Sequence, residues 1–136
     1  MTNSSRRRFI TESGKAVMAG SLLLTTINSG QSEMKNVFVH HVYFWLKNAG
    51  NAADKSKLVA GLKKLGTVAT IRQFHIGQPA ATNRDVIDTS YAVSWLVLFD
   101  SKADQDSYQT DPIHLKFVEE CSSLWEKVIV YDSVDV

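Results

Sequence analysis

The stretch Val37–Leu46, VFVHHVYFWL, is dense in β-branched and aromatic residues. It reads as a strand buried on both faces. A strand has a side-chain period of two, so His40, Val42, Phe44 and Leu46 share one face. His41, Tyr43 and Trp45 share the other. The adjacent histidines then point in opposite directions and cannot chelate one metal ion together. One of them faces whatever covers the strand, and the other faces the opposite side of the sheet.

Working outward, Asn48–Asn51 is a turn and Ala52–Leu65 a helix. Leu58, Val59, Leu62 and Leu65 fall on one helical face, and Lys55, Lys57, Lys63 and Lys64 fall elsewhere. Gly66 ends the helix as a C′ residue would. Thr70–Ile76 is a second strand, stopped by Gly77 and Pro79. Ala80–Thr89 is a polar loop, and Tyr91–Phe99 (YAVSWLVLF) a third strand, again apolar on both faces. Ser101 is an N-cap for a short helix to about Gln109. Asp111-Pro112 opens another helix, Asp as cap and Pro at the first turn where its missing N–H costs nothing. That helix is expected to reach about Leu124, followed by a fourth strand, Lys127–Val134.

The order is β-α-β-β-α-β with the second helix split. This is an α+β, ferredoxin-like arrangement: a four-stranded antiparallel sheet with helices on one face. Three strands are apolar on both sides, yet helices cover only one. The bare face would exceed the roughly 300–600 Å² of apolar patch a soluble monomer tolerates. The expected cover is the same face of a second copy, giving a homodimer that closes toward an α/β barrel. The C-terminal tail and the Ala80–Thr89 loop read as too polar to serve instead.

Composition bounds the rest. The 136 residues are 44% hydrophobic and 21% charged, with 15 Lys+Arg against 14 Asp+Glu, enough for one domain and too apolar for a disordered chain. One Cys excludes a disulfide framework and a thiolate-rich metal site. The charge is unevenly spread. Residues 1–34 hold Arg6, Arg7, Arg8 and Lys15 against Glu12 and Glu33, which leaves the remainder slightly acidic. That remainder has no electrostatic footprint for nucleic acid. A basic start, the mildly apolar Ala16–Ile27 and the small polar Asn28–Ser32 follow the order of an export signal. Ser5-Arg6-Arg7-Arg8-Phe9-Ile10 resembles the twin-arginine export motif. The expectation is a leader over 1–34 and a domain over 35–136, exported to the periplasm or beyond. Membrane association would arise only through an uncleaved leader.

The chemistry-bearing residues gather late in the chain. His114, Phe117, Val118, Cys121 and Trp125 share a helical stripe, which puts an imidazole on the core-facing side. His114 also lies in the first turn, where the positive helix end and burial both favour the neutral ring. Neutral imidazole beside a cavity is competent as a general base. A core histidine bonded to a backbone carbonyl satisfies the same pattern. Tyr108 lies six residues earlier, and the Thr110-Asp111-Pro112 turn can bring its hydroxyl to the same opening. A Tyr packed at a helix junction with its tip in water is the alternative. There is no Gly-rich phosphate loop, no G-x-S-x-G elbow and no paired-histidine helix motif. No cofactor and no metal site are expected.

The strand His40–Lys47, the segment Leu96–Ser101, the Tyr108-Gln109-Thr110-Asp111-Pro112-Ile113-His114 run and Trp125–Asp132 together resemble the stress-responsive dimeric α/β-barrel (Dabb) family. The resemblance covers roughly residues 35–133. It implies a ferredoxin-like fold and a dimer closed through the sheets. In one plant branch of that family a His and a Tyr close a linear polyketide by aldol condensation. Those residues match His114 and Tyr108, and a strand-one pocket His matches His40. The chain departs at Asp111, where His often precedes the Pro. The expected function is binding of a small, largely apolar ligand between sheet and helices, with Val42, Phe44, Phe117 and Val118 joining His40 in the wall. The alternative is an acid–base enzyme, a cyclase or lyase, in which His114 abstracts a proton alpha to a carbonyl and Tyr108 holds the oxygen. A third reading keeps the aromatic strands for dimerisation alone.

Overall fold

The strand that decides the fold alternates strictly once built. Along β1 (Phe38–Leu46) the even-numbered residues are buried and the odd-numbered ones half-buried. A computed structural model describes residues 30–136. The twin-arginine motif and most of the leader lie outside the described residues. The element order is β1, α1 (Ala52–Leu65), β2 (Gln73–Gly77), β3 (Val93–Phe99), α2 (Lys102–Thr110), α3 (Pro112–Cys121), a 3₁₀ turn (Ser122–Leu124) and β4 (Trp125–Val134). The sheet runs β2-β3-β1-β4 with every neighbouring pair antiparallel. This is the expected ferredoxin-like α+β fold with the second helix split.

Each element ends for a local reason. The Asn51 side chain accepts from the Asp54 N–H and starts α1. Ser101 does the same for the Asp104 N–H at α2, and Asp111 for the Ile113 N–H at α3, with Pro112 just inside. Gly66 closes α1 for a different reason from the one its position suggests. Its φ is −61°, in the ordinary helical region. A Cβ there would lie 2.5 Å from the Phe74 ring, so the glycine makes room for an aromatic from β2. Gly61 works likewise: a Cβ would lie 2.6 Å from Cys121 Sγ, which lets α1 and α3 pack closely.

Several boundaries differ from expectation, β3 among them, which begins at Val93 and not Tyr91. β2 begins at Gln73, because Thr67–Ile71 still carries the turn that leaves α1, with the Ile71 N–H bonded to the Val68 carbonyl. α3 stops at Cys121, and the 3₁₀ turn delivers Trp125 to β4. Trp125 therefore leaves the helical stripe, although it still packs on Phe44 and Phe117 from the strand. Val118, expected on the core-facing stripe, is 39% exposed at the rim.

The core lies between the sheet and α1, α2 and α3, centred on Leu58, Leu62, Val93, Trp95, Val97, Phe99 and Tyr108. The other sheet face carries no helix. Across it the strand register sets Val39, His41, Tyr43 and Trp45 of β1 beside Leu98, Leu96 and Ser94 of β3 and Tyr131, Ile129 and Lys127 of β4. The residues just before β3 lap one end, beyond the polar Ala80–Thr89 loop. The Trp45 indole N–H donates to Ser90 Oγ at 3.0 Å, and Tyr91 stands edge-on to Tyr43. The rest stays open, and Tyr131 is 63% exposed.

Candidate functional site

Between the sheet and the two late helices lies an open cleft of about 430 Å³. β1 supplies His40, Val42 and Phe44 to its floor, and β4 extends that floor with Val128, Val130 and Asp132. α2 contributes Gln105, Tyr108 and Gln109, and α3 contributes His114, Phe117 and Val118. The cleft exists because β4 lies at the sheet edge, next to β1, where Val128 and Val130 remain exposed. The seven residues read from sequence as candidates (His40, Val42, Phe44, Tyr108, His114, Phe117 and Val118) all line it.

Its polar groups converge on a set of rings packed at steep angles. The Tyr108 and His114 rings are 4.7 Å apart, centroid to centroid, and His40 and Tyr108 5.7 Å. The Thr110–Pro112 turn makes this possible. The Asp111 N–H bonds back to the Tyr108 carbonyl, closing α2 and aiming α3 so that its first turn faces the tyrosine. Asp111 caps α3 by accepting the Ile113 N–H at 2.8 Å, and its charge also acts on the His114 ring, pulling that pKa upward. The departure from the His-Pro pattern is thus absorbed in part by helix capping.

His114 is held as a neutral base. Burial pushes its pKa below the ordinary histidine value, while a nearby Gln109 carbonyl pulls the other way. Its Nδ1 is buried out of reach of solvent and makes no hydrogen bond of full geometry, although the Gln109 carbonyl lies near the ring. Tyr108 is 1% exposed, and burial raises its pKa far above the ordinary phenol value. It remains a neutral hydroxyl throughout the physiological range, so it serves as a donor and not as a base.

Two functional residues escaped the sequence reading. Asp132 Oδ1 lies 2.6 Å from His40 Nδ1, and this bond leaves Nε2 as the free nitrogen of a ring that lines the cleft. The β1–β4 register pairs His40 with Asp132 directly, and a carboxylate ending the Val128–Tyr131 run was the available signal. The Trp95 indole N–H donates to the Tyr108 oxygen at 3.1 Å. Indole has no acceptor, so the tyrosine oxygen must accept, and its own proton is left for another partner. In the sequence Trp95 looks like any other core aromatic. Among the described residues no three His, Cys, Asp or Glu side chains gather as a metal-ligand set.

The sequence profile of the stress responsive A/B barrel domain matches residues 38–135. No curated relative matches at the sequence level. Among solved structures, the chain is similar to a Dabb family protein with a ferredoxin-like fold from Mesorhizobium loti. That match has a TM-score of 0.62 and 22% identity, covering 74% of this chain and 97% of the other. A dimeric protein of unknown function from Bacteroides fragilis gives 0.60 and 17%, covering 76% and 100%. Hydroxynitrile lyase from Passiflora edulis gives 0.60 and 20%, covering 74% and 94%. At these identities the likeness establishes the fold.

Proposed function

The chain belongs to the stress responsive A/B barrel domain family, and we propose that it works as a homodimer holding a small, largely apolar molecule in the cleft. The observation that carries this reading is the cleft itself. Apolar walls from β1, β4 and α3 surround the Tyr108 hydroxyl, whose proton the indole bond leaves free, and the His114 imidazole. That is the usual composition of a small-molecule site: mostly apolar, with a few fixed polar atoms. The dimer is supported by the uncovered sheet face and by the dimeric Bacteroides relative. Native mass spectrometry of the full chain tests both parts. The expected spectrum is a dimer that retains a co-purified or added small ketone. A bare monomer at micromolar concentration would remove the dimer, and a dimer that retains nothing would remove the ligand.

The second reading, acid–base turnover, is favoured by the Asp132–His40 bond together with the neutral His114. An Asp-oriented imidazole, a second neutral imidazole and a phenol donor suit proton abstraction beside a carbonyl. The Passiflora neighbour is itself a lyase. Replacing His114→Ala should then abolish turnover of a small ketone, while its affinity stays within about tenfold, roughly 1.4 kcal/mol. Loss of affinity without any measurable turnover in the parent protein would leave binding as the function.

Export belongs to the same proposal. Residues 1–34 would address the folded domain, residues 35–136, to the twin-arginine route. Changing Arg6→Lys together with Arg7→Lys should leave the full chain in the cytoplasm of a bacterial host. Undiminished appearance in the periplasm would defeat the assignment.

A further inference from the structure

The open sheet face carries a group of side chains that the cleft does not use. Strand register sets His75 of β2, Leu96 of β3, His41 of β1 and Tyr131 of β4 in one row across all four strands. His41 is stacked on Tyr43, ring centroids 4.4 Å apart, with its Nδ1 3.1 Å from the Tyr43 hydroxyl. No strand position on this face bears a carboxylate: the residues are Val39, His41, Tyr43 and Trp45, with Leu98, Leu96 and Ser94, Gln73, His75 and Gly77, and Ser133, Tyr131, Ile129 and Lys127. Asp88 on the loop and Glu126 at the β4 bulge sit at the Trp45 end, where Lys127 lies 4.5 Å over the Trp45 ring. His40 is on the same strand but faces the cleft, where Asp132 engages it.

We infer that two copies associate through this face only while His41 and His75 are neutral, so that mild acid separates them. The inference rests on the homodimer reading. A two-fold sheet-to-sheet contact is isologous, so each copy meets a face of its own composition. Neither copy can then offer a strand carboxylate to a protonated imidazole. Protonation would instead gather His41 and His75 of both copies, beside two Lys127 side chains, in a seam from which water is excluded. Burial already holds His41 below the ordinary histidine value in the single chain, with His75 and then His40 adding to the effect. A second sheet laid over it deepens that burial. His41 therefore binds a proton more readily in the free chain than in the pair. Association is at full strength above the free-chain value and weakens as pH falls through it. A further depression of one unit at a single histidine corresponds to about a tenfold rise in the dissociation constant.

Sedimentation velocity on the full-length chain at pH 8 and pH 5, with far-ultraviolet circular dichroism at each, tests this. The expected result is a dimer at pH 8 whose dissociation constant rises about tenfold or more by pH 5, the fold being retained. His41→Gln should stay dimeric at both values. Should that variant not fold, His75→Gln, at an exposed strand position, should reduce the pH dependence. A parent dimer equally tight at both values would overturn the inference. So would a His41→Gln variant as acid-sensitive as the parent, or dissociation that coincides with unfolding. A parent chain already monomeric at pH 8 would strike the homodimer reading itself.

Discussion

Truncating Trp95 to alanine should lower the stability of the fold by about 3–5 kcal/mol, the range for removing a fully buried large aromatic. Trp95 is 1% exposed and stands at the centre of β3, a strand with neighbours on both sides. Its register partners Val42 and Ile76 flank it in the sheet, and the Phe74 ring lies 5.0 Å away. The paired strands on both sides hold the walls of the resulting cavity apart. The stability of an ordinary domain is about 5–15 kcal/mol, so the loss would consume much of the margin. Urea unfolding at pH 8 measures it, as a lower midpoint at unchanged slope. A loss under about 1 kcal/mol would mean that the indole is not a core residue.

Tyr108→Phe is expected to strike both stability and the cleft. The ring is conserved in volume, but the Trp95 indole N–H loses its acceptor in a dry environment. An orphaned buried donor costs about 1–3 kcal/mol. Combining Tyr108→Phe with Trp95→Phe removes both partners, so the pair should cost less than the two single changes added together. In the cleft, the change removes the hydroxyl proton that the indole bond leaves free. Affinity for a small ketone should fall about tenfold or more, measured by calorimetry. Unaltered ketone affinity would show that the ligand oxygen does not meet Tyr108. Additive stability losses would show that the indole bond is weak. Since burial raises the Tyr108 pKa, the ketone affinity should show no alkaline break that can be assigned to this group at ordinary assay pH.

The local architecture was written plainly in the residues. The caps Ser101 and Asp111, the Leu58–Leu62–Leu65 stripe and the two-residue alternation of β1 each act over a few positions, so the chain displays them directly. The cleft was half visible for the same reason: Tyr108 and His114 lie six residues apart, within one helix-turn-helix. What failed were readings that depend on distant neighbours. Gly66 does end α1, but the need for a glycine there is set by Phe74, which reaches it from another strand. Val118 sits on the apolar stripe, yet no helix covers the edge strand opposite, so it stays at the rim.

The sequence by itself determined the element order and the ferredoxin-like class, because periodicity, capping and turn chemistry are short-range effects, and the resemblance of its motifs pointed to the family. The tertiary structure alone decided which partners the polar atoms find. Antiparallel register brings Asp132, ninety-two positions away, to His40, and core packing turns the Trp95 N–H onto Tyr108. Strand pairing and packing close contacts across long stretches of chain, and no local pattern encodes which atom will face which.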